Sequence, residues 1–381
     1  MQDPLNLAPR TTEVFDDLIA ALGEIRDGYI NSSARFNQPL DVVEGYRYVG
    51  QLLSIASELF FEADPEHPRF AAIVSPVRKL QGDNPDAIYH YTRLRADRSY
   101  RVSGTVDREC YTSFTVHGQA DDGGLAGPLL GDVNNHDFEI DADGHYEVIF
   151  SANHHEGNWV ELKAGAHCLI VRSYFELQTS VQNDPDIAVR IDIRCLDEVG
   201  PPPPLTDEDL AARMAEGVAL LRQATVGQNL PGTASRAPFA STVPNDVAKP
   251  FSFRDSGLPV PGAADIVYSM GTWDLTPDQA LVMTGTLPKG VFANVMLWNK
   301  HMQTLEYRNR NSSLNGAQIT VDENGTYCIV IAQRDPAVPN WLDTGGHPQG
   351  TIFWRFLLPA EDPAKPHCVV MSVDDVASHL A

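Results

Sequence analysis

The chain has 381 residues, with 51 acidic against 28 basic side chains and a net charge of −23. That balance excludes proteins that clamp nucleic-acid phosphates or anionic membranes, because both need clustered Lys and Arg. Hydrophobic content is 43%, ordinary for a globular protein with ample core, and no apolar run approaches the ~18 residues of a membrane span.

The opening stretch MQDPLNLAPRTTEVFDDL lacks a basic region followed by an apolar one, so no signal peptide is expected. Residues 11–30 read as a helix with Val14, Phe15, Leu18, Ile19, Leu22 and Ile25 on one face. Residues 41–62 read as a second helix. Asp41 and Glu44 have capping-box spacing, and Val42, Tyr46, Val49, Leu53, Ala56 and Phe60 form an apolar stripe. A Pro- and Asp-rich traverse leads to Asn84-Pro85-Asp86 and a run of short strands from Ala87 to about Cys195, divided by Asp, Asn and Gly turns.

A Pro-rich linker begins at VGPPPPLTDED, and Thr206 caps a helix near 206–224. Residues 226–262 have no clear period and read as a long loop that wraps a lobe or covers a site. A second run of strands spans about 264–359, and the tail VDDVASHLA suits a last helical turn. Five cysteines lie far apart with no C-x-x-C pair, which suits reduced thiols and a cytoplasmic protein.

The two strand runs repeat one another. DADGHYEVIFSANHHEGNW at 141–159 matches DENGTYCIVIAQRDPAVPNW at 322–341, and VSGT at 102–105 matches MTGT at 283–286. The offsets from Gly104 to Gly285, Gly144 to Gly325, Trp159 to Trp341 and Arg172 to Arg355 are 181, 181, 182 and 183. A mainly β fold is therefore expected, with two duplicated antiparallel jelly-roll or β-sandwich lobes plus N-terminal and linker helices. The expected division is a helical segment (1–66), a first lobe (67–200), the linker, helix and loop (201–262) and a second lobe (263–381).

The strings GDNPDAIY at 82–89, YRNRNSSLN at 307–315 and RDPAVPNWLDTGGH at 334–347 resemble the bacterial family called domain of unknown function 1214. The resemblance is strongest over 307–358. It implies a double β-sandwich and assigns no chemistry.

The duplication also acts as a filter. Features present in both copies read as scaffold: Trp159 and Trp341 as buried aromatics, Arg172 and Arg355 as structural charges in ion pairs. Features of one copy read as function. Arg308 and Arg310 fall on one side of an extended chain and suit an anionic group. His347 with Asp335 or Asp343 suits acid/base work. Asp86 approaches from the first copy with Asn84 and Tyr89. The catalytic candidates are thus His347, Asp86, Asp335 and Asp343, and the substrate-binding candidates are Arg308, Arg310, Asn84 and Tyr89. His154 and His155 are adjacent and lack zinc-pair spacing, and no phosphate loop or nucleophile elbow occurs. The reading is a cofactor- and metal-independent hydrolase or lyase acting on a small-molecule or glycan substrate. The alternative is a non-enzymatic ligand- or protein-binding protein.

Overall fold

A computed structural model of the protein describes residues 7–228, 237–254, 256 and 265–380. Two helices come first, α1 (Pro9–Ile25) and α2 (Pro39–Ala56), each with proline in its first turn, where the missing N–H costs nothing. Each ends in one π turn, Arg26–Ile30 and Ser57–Phe61. The linker helix α3 (Asp207–Gln223) starts as expected, with Thr206 Oγ1 accepting from Asp209 N at 3.1 Å.

Besides a two-residue edge strand, Ala71–Ala72, that pairs with the first of them, the first lobe holds eight strands: β1 (Ala87–Arg93), β2 (Tyr100–Thr105), β3 (Tyr111–Gly118), β4 (Leu129–Asn134), β5 (His145–Ser151), β6 (Trp159–Glu161), β7 (Ala166–Tyr174) and β8 (Arg190–Cys195). The second holds eight more: β9 (Ile266–Asp274), β10 (Gln279–Thr286), β11 (Phe292–Trp298), β12 (Ser313–Asn315), β13 (Thr326–Ala332), β14 (Trp341–Asp343), β15 (Gln349–Leu357) and β16 (His367–Ser372). One sheet of each lobe runs β1-β7-β3-β4 or β9-β15-β11-β12, and the other runs β6-β5-β2-β8 or β14-β13-β10-β16. Strand n of the first lobe therefore corresponds to strand n+8 of the second, and the duplication is topological as well as textual.

The repeat rests on a few side-chain devices. Asp141 and Asp322 each accept two backbone N–H groups across their turns, at 2.8–2.9 Å. Gly144 and Gly325 sit in the same turns at φ of 83° and 77°, a region that disfavours a side chain. Asn158 and Asn340 each bind two carbonyls and one N–H of neighbouring segments. Gly104 and Gly285 are required by their cross-strand partners, Tyr146 and Tyr327: a Cβ would meet the phenol oxygen at 2.3 and 2.6 Å.

Several expectations need correction. The second run of strands does not end at 359, because β16 pairs with β10 just as β8 pairs with β2. The sheets are not wholly antiparallel: β5–β6 and β13–β14 are parallel. Trp159 and Trp341 are half-buried rather than core, each with its indole N–H on a main-chain carbonyl, Ser151 O and Ala332 O. The faces of α1 and α2 are rotated from the expected stripes, with Phe15, Ile19 and Tyr46 half exposed. The cause in α2 is Gly45, whose missing side chain lets the helix lie against His301; Tyr48, Leu52 and Ile55 are buried beside it. Asp41 and Glu44 do not cap α2, which starts at Pro39; both are buried toward the second lobe. In 226–262, segments Ala240–Pro244, Asp246–Val247 and Phe251–Ser252 pair with β9, while 229–236, 255 and 257–262 lie outside the described residues.

Each sandwich has its own core, around Phe114 and Phe150 in the first lobe and Trp354 and Ile329 in the second. A third cluster joins Tyr111 and Tyr174 of the first lobe to Tyr268, Phe292, Met296, Trp298 and Phe353 of the second. The β1-β7-β3-β4 and β9-β15-β11-β12 sheets therefore face each other across the lobe boundary. No helix of the described residues is long and apolar enough to cross a membrane.

Candidate functional site

The sequence candidates are dispersed. His347 is not a solvated loop side chain: it is 4% exposed, with Nε2 2.9 Å from Glu44 Oε2 and Nδ1 3.0 Å from Thr344 O. It fastens α2 to the second lobe, as do the Lys300–Asp41 ion pair and the His301 ring between Tyr29 and Asp41 O. Asp343 is buried and accepts from Arg310 at 2.7 Å, and exposed Asp335 shapes its own turn.

Arg308 pairs with Glu306 and lines a surface groove with Arg47 and Arg78, so the two arginines do not converge on one anion seat. Asp86 is fully buried, held by Asn294 Nδ2 at 3.0 Å and Asn315 Nδ2 at 2.9 Å, and burial pushes its pKa up. Asn84 accepts from the same Asn294 amide at 2.8 Å. These two residues latch the entry of the first lobe onto the second. Asp86 and His347 thus have separate structural partners, and neither lines the cavity between the lobes. Of the eight candidates, only Tyr89 lines it.

That cavity measures about 620 Å³, within the range of roughly 300–1,000 Å³ typical of small-molecule sites. Side chains alternate along a strand, so β7 sends Leu169 and Val171 into its sandwich core and Ile170, Arg172 and Tyr174 to the other face. β15 does the same, sending Ile352, Trp354 and Phe356 inward and Phe353 and Arg355 outward. Because the outer faces of β7 and β15 meet, the two arginines that occupy matching positions line one cavity. Each lies directly across from a tyrosine of the neighbouring strand: Tyr89 opposite Arg172, Tyr268 opposite Arg355.

Neither arginine is in an ion pair among the described residues, contrary to the expectation for a repeated strand charge. Arg172 Nη1 donates to Thr115 Oγ1 at 2.6 Å. Arg355, only 5% exposed, donates Nη2 to Gly82 O at 2.6 Å and Nη1 toward Met296 Sδ at 3.0 Å. Its guanidinium carbon lies 4.7 Å from the Phe353 ring centroid and 5.4 Å from that of Trp298. The carboxylates of Asp83 and Asp86 act on this charge only from beyond contact distance. Both guanidiniums also act on the Tyr174 phenol, which burial pushes well above its ordinary pKa. Its hydroxyl lies 3.3 Å from that of Tyr89.

His117 completes the polar side. Burial, aided by the Arg172 charge, pushes its pKa down to about 4, so the ring is neutral near pH 7. Its nitrogens are engaged by Gly127 O at 3.0 Å and Thr115 Oγ1 at 3.1 Å. The imidazole therefore orients the hydroxyl that receives Arg172, and the cavity holds two guanidiniums with most donor positions unused among the described residues, with Asp83 and Asp122 also on its lining.

No family model matches the chain, and no curated protein matches it. Among solved structures it is similar to an uncharacterized protein from Burkholderia cenocepacia, with 28% identity and a TM-score of 0.83 over 96% of this chain and 99% of that one. It is also similar to a protein from Vibrio parahaemolyticus, with 14% identity and a TM-score of 0.49 over 86% of this chain and 98% of that one. The two-lobed arrangement is thus similar along nearly its whole length to that of the Burkholderia cenocepacia protein.

Proposed function

We propose that this protein binds a small organic anion in the cavity between its lobes. The carrying observation is the pair Arg172 and Arg355, brought to one cavity by equivalent strands and paired with no carboxylate among the described residues. A guanidinium held almost out of water is costly unless a counter-charge meets it. Elsewhere the chain meets its part-buried arginines with acids, as in Arg93–Glu216 and Arg78–Glu58. A bound carboxylate or phosphate would serve the same purpose here, and arginine's planar fork suits either group. The binding reading is preferred to acid/base hydrolysis because His347 and Asp86 hold elements together and lie outside the cavity.

Calorimetric titration with a panel of small organic acids and phosphate esters tests the reading. At least one should bind the wild type and lose tenfold or more in affinity in Arg172→Gln and Arg355→Gln. Binding that is indifferent to both substitutions would place the ligand elsewhere and overturn the proposal.

A further inference from the structure

The cavity walls differ, and the difference points to the body of the ligand as well as its charge. The second lobe and the segment laid against it contribute four rings: Phe239 from that segment and Tyr268, Trp298 and Phe353 from the lobe. Trp298 stacks on Phe353 at 4.1 Å between centroids, with 22° between planes. Tyr268 is 5.7 Å from Phe353, and Phe239 meets Tyr268 at 5.5 Å and Phe353 edge-on at 6.1 Å. The opposite side carries Tyr89 and Tyr174 close to Arg172 and is otherwise mostly aliphatic, with Ile73, Val74, Leu80, Ile170 and Leu220. A surface of ring faces and edges rewards a partner with its own quadrupole beyond what apolar area alone supplies, whereas an alkyl chain gains only the area. Arg355 is seated against this wall by Phe353 and Trp298, so a charge and an aromatic surface share one corner.

Resting on the anion-binding reading above, we infer that the ligand is a ring-bearing organic anion. Its ring system lies against the Phe239–Tyr268–Phe353 wall, and its acidic group is held by Arg172 and Arg355. Inorganic phosphate would leave the wall unused, and a fatty acid would use it without its aromatic contribution. A carboxylate and a phosphate monoester meet the arginines equally well, so the acidic group is distinguished by experiment.

The test is titration calorimetry of the full chain with four probes: 2-naphthoate, 1-naphthyl phosphate, decanoate and inorganic phosphate. One naphthyl anion should bind at least tenfold more tightly than decanoate and than inorganic phosphate, and the tighter of the two names the acidic group. Phe239→Leu, which keeps apolar volume and removes a ring, should weaken that probe about threefold to tenfold and leave decanoate unchanged. Arg172→Gln should weaken the naphthyl anion and decanoate alike by tenfold or more. Circular dichroism of both variants establishes that they are folded. Decanoate or inorganic phosphate binding as tightly as the naphthyl anions would overturn the ring assignment while leaving the anion site in place. Failure of all four probes to bind, or no effect of Arg172→Gln, would remove both readings.

Discussion

Arg355 keeps a permanent charge in a place where an apolar side chain would fit the neighbouring rings. Burying a charge that has no ion-pair partner costs free energy that an apolar residue of similar length does not. Arg355→Met should therefore unfold at the same or a higher denaturant concentration than wild type, while losing ligand affinity. A loss above about 2 kcal/mol in chemical denaturation would instead mark the arginine as structural. His347 is the opposite case. Burial opposes charge on its ring, but the hydrogen bond and charge of Glu44 outweigh burial and raise its pKa above 6.5. Burial opposes the Glu44 charge too, and His347 outweighs it, lowering that pKa below 4.5. A raised imidazole contributes stability that is complete below its unfolded value and is lost as pH rises through the folded one; a lowered carboxyl contributes above its unfolded value and loses it as pH falls. The pair should thus stabilise most between pH 4.5 and 6.5. His347→Gln should cost about 3 kcal/mol near pH 5.5, as for breaking a buried pair, and clearly less near pH 8.5. Equal losses at the two pH values, by urea denaturation, would contradict the pairing.

At the scale of elements, the duplicated lobes explain which signals the sequence carries openly. Turn aspartates, left-handed glycines and the Gly–Tyr cross-strand pairs each have one local physical reason, so they recur at fixed spacing and can be read directly. Gly285→Ala should cost roughly 1–3 kcal/mol by overpacking, since the new methyl group meets the Tyr327 ring. Thermal unfolding checks this, and Tyr327→Leu in the same background should recover part of the loss. β16 was not legible, because its residues share a place with β8 but no motif. The helix faces were misread because apolar periodicity does not say which side a neighbour will cover, and Gly45 carried no apolar signal at all. His347 was misread for a related reason. Its loop looks open in the sequence, and its partner Glu44 lies more than three hundred residues earlier, on a helix. Arg172 and Arg355 follow another logic. A feature shared by two copies suits the scaffold of each, yet when the copies meet through the same sheet, shared outward residues are the ones that line the junction. The telling sign is an arginine at matching places in two strands, preceded by apolar residues in both, Ile170-Val171 in one and Phe353-Trp354 in the other.

For the whole molecule, the net charge of −23 sets how an anion arrives. At long range the protein repels the ligand it is proposed to hold, and the two arginines at the junction attract it at short range. Raising ionic strength from about 0.01 to 0.15 M shortens the screening length from about 30 to 8 Å and should mask the distant acids more than the nearby arginines. The association rate of an anionic ligand, followed by stopped-flow fluorescence, should therefore rise with salt, whereas steering by a basic surface would make it fall. The junction has a second consequence. Two separate copies of one lobe, meeting through the same face, would form an isologous dimer whose halves are bound to be identical. Joined in one chain, the halves are free to diverge. The second stacks its arginine against Trp298 and Phe353, while the first fixes its arginine on a hydroxyl beside a neutral imidazole. Tandem linkage thus gives a ligand a head and a tail to recognise, so it can be held in one orientation where a symmetric pair would accept two.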